Sequence, residues 1–194
     1  MNQGKLELII GNMFSGKTTE LIRRINKLNI LKKKYIVINY IDDNRYSHST
    51  GEQEIVCTHN LTRINCIKLK NLMDYNIDNQ CDYNIDNQCD YIFIDEAQFF
   101  EDLYPFVKLM VDTHHKCVTV AGLSGDINRS EFGHILNLIP IADSVVKLNA
   151  FCTICNDGTE APFTKKINES GIKEIVDIGG ADKYISVCRK HYLC

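Results

Sequence analysis

A chain of 194 residues, 44% hydrophobic and 24% charged, is long enough for one ordinary domain with a small appended module and has the composition of a globular protein. Its formal net charge of -3 provides no basic field for a nucleic-acid backbone, and its apolar runs are too short for a membrane helix. With no signal-peptide pattern at the start, we expect a cytoplasmic protein that binds neither nucleic acid nor membrane. Nine cysteines, an odd number, argue against a disulfide framework.

KLELII (5–10) is a short apolar run ending at Gly11 and predicts a buried strand. From Thr18 to Leu31, apolar residues at 21, 22, 25, 28 and 31 have the period of a helix. YIVINYI (35–41) is a second strand by its β-branched content, DYIFID (90–95) a third and KCVTVAGL (116–123) a fourth. FGHILNLI (132–139) predicts a helix before Pro140, and DSVVKLNA (143–150) a fifth strand. Strands separated by helices imply an α/β domain with a parallel sheet over residues 1–150. DYNIDNQC occurs twice in tandem, Asp74–Cys81 and Asp82–Cys89. It is polar and present only twice, so it reads as a duplicated surface loop and not a solenoid. Residues 151–194 change character: two cysteine/histidine pairs flank a glycine-bearing stretch, GIKEIVDIGGADKY, which signals irregular backbone.

The chemistry begins at Gly11-Asn12-Met13-Phe14-Ser15-Gly16-Lys17-Thr18, which fits G-x-x-x-x-G-K-[ST] between a predicted strand and a predicted helix. Its glycines let successive N–H groups turn onto phosphate oxygens, and the helix N-terminus adds partial positive charge. Lys17 reaches the outer phosphates, and the Thr18 hydroxyl is a ligand for Mg²⁺. Such a loop needs a carboxylate at the end of a neighbouring strand, and YIFIDEAQFF supplies Asp95 and Glu96. Adjacent carboxylates at a strand tip point apart, so Asp95 would serve the metal and Glu96 the acceptor. The same DEAQ string occurs in nucleic-acid motors, where the pair activates water. A single-lobe ATPase or remodelling module is therefore the alternative, although the chain holds one lobe and no second set of motor motifs.

MFSGKTTEL, FIDEAQFF, AGLSGDINRSEFG, VVKLNAFCTIC and IGGADKYISVCRKHY, in that order, resemble the type II, zinc-containing thymidine kinases over about residues 4–192. The resemblance implies a P-loop NTPase-like parallel sheet flanked by helices, with a C-terminal zinc-binding module (151–194) carrying a lasso-like substrate lid. It implies transfer of the γ-phosphate of ATP to the 5′-hydroxyl of thymidine and of deoxyuridine, in pyrimidine deoxynucleotide salvage. Gly11–Thr18 would hold ATP, Thr18 and Asp95 would hold Mg²⁺, and Glu96 would be the general base. Lys17 and Arg45 would stand beside the reacting phosphate, and Asp43 would touch the sugar. The base pocket would draw on Met13, Phe99, Leu123, Ile127, Phe132, Thr164 and Tyr184, under a lid of Ile175, Val176, Asp177, Ile178 and Gly179. A homotetramer and feedback inhibition by thymidine triphosphate (dTTP) are also implied. Ile127 stands where relatives carry an aromatic, and Asp177 where an apolar residue is common.

Cys152-x-x-Cys155 and Cys188-x-x-His191 offer three thiolates and an imidazole, enough to close a tetrahedron around structural Zn²⁺. That metal would pin both roots of the lid and leave the phosphate loop apart from it.

Overall fold

The first strand explains how the core divides. In β1 (Lys5–Gly11) Leu6, Leu8 and Ile10 point to one side of the sheet and Ile9 to the other, as strand alternation requires, and all four are buried. A strand covered on both faces reads as a continuous apolar run, the mark of a parallel sheet packed between two layers. The structure, a computed structural model, describes residues 3–42, 55–57, 63–75, 89–167 and 183–194.

β1 leads into α1 (Lys17–Ile30), which returns the chain to β2 (Tyr35–Tyr40). A two-stranded antiparallel pair follows, β3 (Ile55–Cys57) and β4 (Arg63–Asn65), and then the short strand β5 (Ile67–Leu69). β6 (Tyr91–Ile94), α2 (Leu103–Lys108), β7 (Cys117–Leu123) and β8 (Ser144–Leu148) complete the main body. Six strands pair in parallel in the order β5-β2-β6-β7-β1-β8. One face packs Ile9, Val37, Phe93 and Ala121 against Leu21 and Ile25 of α1. The other packs Leu8, Ile38, Ile94 and Val120 against Phe100, Leu103, Phe106, Ile135 and Leu138.

The C-terminal part is built of small pieces. β9 (Ala150–Phe151) pairs with β10 (Glu160–Ala161), and β11 (Phe163–Lys166) pairs with β12 (Tyr184–Val187), both antiparallel. α3 (Arg189–Leu193) closes the chain. Ala150, Cys152, Ala161, Val187 and Cys188 form a separate small core. No described helix is long and apolar enough to cross a membrane.

Three details depart from the sequence expectations. α1 ends at Ile30, and Leu31, expected on its apolar stripe, is 65% exposed. The helix expected over 132–139 is not an α-helix and starts only after Gly133, whose φ of 61° interrupts right-handed winding. A run of 3₁₀ turns takes its place at Ile135–Ile141, and the tighter winding carries Pro140 inside it. α2 and the π-helical turn after it (Leu109–Thr113) had no predicted counterpart.

Most of the tandem repeat lies outside the described residues, but both of its ends are anchored. Tyr75 packs edge-on against Phe106, with ring centroids 6.4 Å apart, and the buried Cys89 thiol donates to the Tyr91 carbonyl at 3.1 Å. Deleting Asp82–Cys89 leaves Cys81 in the same position before Asp-Tyr. The shortened protein should therefore keep Cys81 in the place of Cys89. Halving the loop changes closure entropy by only about 0.6 kcal/mol, so the melting temperature should stay within about 4 °C. A thermal melt checks this, and a collapse in stability would show that the repeat itself is packed.

Candidate nucleotide site and metal centre

The loop between β1 and α1 is shaped by its glycines. Gly16 has a φ of 82°, a conformation costing a side-chain-bearing residue roughly 1–2 kcal/mol, and a Cβ there would meet nothing within 4 Å. Gly11 is required for a different reason: a Cβ would lie 2.5 Å from the Leu148 carbonyl oxygen and 2.5 Å from the Ser15 hydroxyl. Inside the loop, the Asn12 carbonyl accepts from Ser15 Oγ and from Lys17 Nζ, each at 2.8 Å. Lys17 is thereby held in the loop with its side chain buried.

Thr18 Oγ donates to Asp95 Oδ2 at 2.9 Å. From sequence, Asp95 was expected on a strand next to β1; β7 lies between them. The contact forms nonetheless, because Asp95 sits just past the end of β6 with its amide donating to the Ile38 carbonyl. The hydroxyl and the carboxylate are hard oxygen donors of the kind Mg²⁺ takes, and they meet here in a hydrogen bond. Glu96 follows in the left-handed region at φ 51°, and its amide donates to Asp95 Oδ1 at 3.0 Å. Both carboxylates are buried, as is Gln98. Gln98 Nε2 donates to Glu96 Oε2 at 2.6 Å, and its Oε1 accepts from the Leu123 amide at 2.9 Å.

Phe99, the last residue of a 3₁₀ turn at Ala97–Phe99, meets Phe132 edge-on at 5.4 Å and Tyr40 at 5.2 Å. Leu123 ends β7 beside them, held by Gln98. The carbonyl of Ile127 accepts from the Tyr192 hydroxyl at 2.7 Å, tying the 124–131 loop to α3. Thr164 and Tyr184 are buried on the antiparallel pair β11–β12. Asp43, Arg45 and Ile175–Gly179 lie outside the described residues.

The four expected metal ligands converge. Their donor atoms all lie within 4.8 Å of one another. Cys155 and Cys188 sulfurs are 3.8 Å apart, and His191 Nδ1 is 3.3–3.4 Å from the sulfurs of Cys152, Cys155 and Cys188. Tetrahedral Zn²⁺ with Zn–S bonds of about 2.3 Å requires S···S edges of about 3.8 Å and S···N edges of about 3.5 Å, so the cluster fits that ion. Desolvation pushes the Cys152 thiol up. Hydrogen bonds from the backbone of Cys155 and Cys188 and from His191 outweigh it and bring it down to about 6. Cys155 is pushed up to about 11 by desolvation and by the thiols of Cys152 and Cys188. Metal binding would release the Cys155 proton, as thiolate ligation requires.

The phosphate loop also touches the segment that carries the expected metal ligands. Asn12 Nδ2 donates to the Phe163 carbonyl at 3.3 Å, and the Ala150 amide donates to Asn12 Oδ1 at 3.3 Å. The Met13 amide donates to Thr164 Oγ1 at 3.1 Å, and Phe14 packs on the small core around Cys152 and Cys188. Three consecutive loop residues are therefore braced by the segment that carries the metal ligands. Asn12 and Gln98 are the residues whose structural parts were not read from sequence. Each stands inside a quoted motif, but nothing local shows which distant backbone groups it binds.

A parallel sheet whose first strand runs into such a loop, with a threonine and a carboxylate meeting at its edge, defines a P-loop-type nucleotide-binding protein. The model of the family described as thymidine kinase matches residues 4–192. The human protein named "Thymidine kinase, cytosolic" is 42% identical over 190 residues, covering 98% of this chain and 74% of its own. The vaccinia virus (strain Western Reserve) thymidine kinase is 42% identical over 198 residues, covering 100% of this chain and 99% of its own. The monkeypox virus thymidine kinase is 42% identical over 195 residues. The chain belongs to the thymidine kinase family, and the converging Cys/His cluster fits its type II branch.

Proposed function

We propose that the protein transfers the γ-phosphoryl group of ATP to the 5′-hydroxyl of thymidine, and of deoxyuridine, giving the nucleoside monophosphate and ADP in pyrimidine deoxynucleotide salvage. The observation that carries this reading is the Thr18–Asp95 contact at the mouth of the phosphate loop, with a second buried carboxylate, Glu96, bound by Gln98 instead. Family membership speaks against the single-lobe ATPase.

In this reading the N–H groups of Gly11–Thr18 and the N-terminus of α1 bind the triphosphate. Lys17 leaves the Asn12 carbonyl to meet a phosphate oxygen. Thr18 and Asp95 hold Mg²⁺, which supplies charge neutralisation on the phosphate oxygens. Glu96 takes the proton of the 5′-hydroxyl while the oxygen bonds to the γ-phosphorus and the bond to the β–γ bridging oxygen breaks, releasing ADP. Arg45 neutralises charge at the transferring group, and Asp43 holds the sugar. Met13, Phe99, Leu123, Ile127, Phe132, Thr164 and Tyr184 line the base pocket, and Ile175–Gly179 close over it. The chain divides by role into a nucleotide-binding part, 1–150, and a zinc-binding lid part, 151–194, where Cys152, Cys155, Cys188 and His191 hold structural Zn²⁺. The protein works in the cytoplasm as a homotetramer and is inhibited by thymidine triphosphate.

A panel of nucleosides offered with labelled ATP tests the acceptor. Label should pass to thymidine and deoxyuridine and not to purine nucleosides; transfer to purines would overturn the assignment. Lys17→Ala removes a charged hydrogen-bond donor worth about 1.5–3 kcal/mol, so ATP should bind roughly 10- to 100-fold more weakly. Thymidine affinity should stay within about twofold, and titration calorimetry with each ligand measures the contrast.

A further inference from the structure

We propose that Gln98 is a positioning residue for the reaction, fixing the carboxylate of Glu96 through a buried amide whose polarity is set from the other side. The proposal rests on the reading of Glu96 as the base. An amide's nitrogen and oxygen are told apart by their partners. Here the assignment is forced, because the Leu123 backbone N–H is only a donor. The atom 2.9 Å from it is therefore Oε1, and Nε2 must face Glu96, which it meets at 2.6 Å. The amide thus donates to a carboxyl oxygen of Glu96 and offers it no acceptor, so it fixes the group in place without competing for a proton.

Gln98 is closely enclosed. Gln98 is 3% exposed and Glu96 8%. A Cβ at Gly122 would stand 2.7 Å from Gln98 Oε1, and one at Gly133 would stand 2.1 Å from the Gln98 carbonyl oxygen. Two glycines thus make room for the side chain and the backbone of one glutamine. The same amide holds Leu123, a residue of the proposed base pocket, so one side chain sets the distance between base and pocket wall. Misplacement of a reacting group by about 1 Å can cost on the order of 10²-fold in rate.

The test is a double-mutant cycle with steady-state kinetics. Gln98→Glu keeps an acceptor for the Leu123 amide and removes the donor to Glu96; Gln98→Met, of similar length, removes both. Each should lower kcat by about 10- to 100-fold, with KM for ATP and for thymidine within about threefold of the parent. In the Glu96→Gln background the same changes should cost less than about threefold more, because the group they position is already gone. Undiminished kcat in both Gln98 variants beside a crippled Glu96→Gln overturns this proposal alone. So do losses that multiply in the double variant, or losses appearing only in KM. Undiminished turnover in Glu96→Gln itself overturns the base reading and this proposal with it.

Discussion

Glu96→Gln is expected to bind ATP and thymidine at close to parental affinity and to turn over roughly 10²–10⁴-fold more slowly. That range is the usual contribution of a positioned general base. The substitution preserves size and hydrogen-bonding reach but cannot accept the 5′-hydroxyl proton. Glu96 is buried and lies beside Asp95 in sequence, yet the two carboxylates have different partners, Gln98 for Glu96 and Thr18 for Asp95. Loss of the Glu96 carboxylate should therefore leave the Thr18–Asp95 pair intact. Single-turnover kinetics, with binding measured separately, checks both halves. Weakened ATP binding together with unchanged chemistry would mean that Glu96 serves the metal and another group takes the proton.

Cys155→Ser should impair the protein by a different route. Removing one of the four converging ligands opens the tetrahedron, and structural zinc contributes its binding free energy to folding directly. The purified variant should lack stoichiometric zinc after dialysis against a chelator. Thymidine should bind at least about tenfold more weakly, because β11 and β12 lead away from the metal cluster and carry Thr164 and Tyr184. ATP should weaken too, since Asn12, Met13 and Phe14 lean on the same segment. The bonds from Asn12 and Met13 reach residues 151 positions away in the chain. Titration calorimetry on the zinc-depleted variant measures both affinities. Parental ATP affinity there would show that the bracing of the loop is dispensable.

What the sequence allowed, and what it hid, follows from the range of the interactions involved. The phosphate loop was legible because its constraints are local: Gly16 needs a left-handed backbone, and Lys17 and Thr18 must follow it. The Cys/His cluster was legible because its two pairs have short internal spacings. The buried strands were legible as continuous apolar runs, but their spatial order was not, since pairing partners are distant in sequence. Hence β7 came between β1 and the carboxylate strand without warning. α2 was legible and still overlooked: Leu103, Phe106, Val107 and Met110 have helical spacing, and all are buried. The helix expected over 132–139 starts late, as 3₁₀ turns from Ile135, after Gly133, whose backbone must pass close to the Gln98 carbonyl, a contact visible only in the fold. Gln98 itself stood in the quoted DEAQ string, but its role depends on Leu123, 25 residues further on.

The central claim is that the acceptor of the phosphoryl group is a nucleoside hydroxyl and not water. The most direct measurement follows ADP and thymidine monophosphate together, with ATP and Mg²⁺ present, before and after thymidine is added. ADP release should be negligible before the addition, and afterwards ADP and thymidine monophosphate should appear in equal amounts. ADP formed just as fast without any nucleoside, and abolished by Glu96→Gln, would contradict the account and make Glu96 an activator of water.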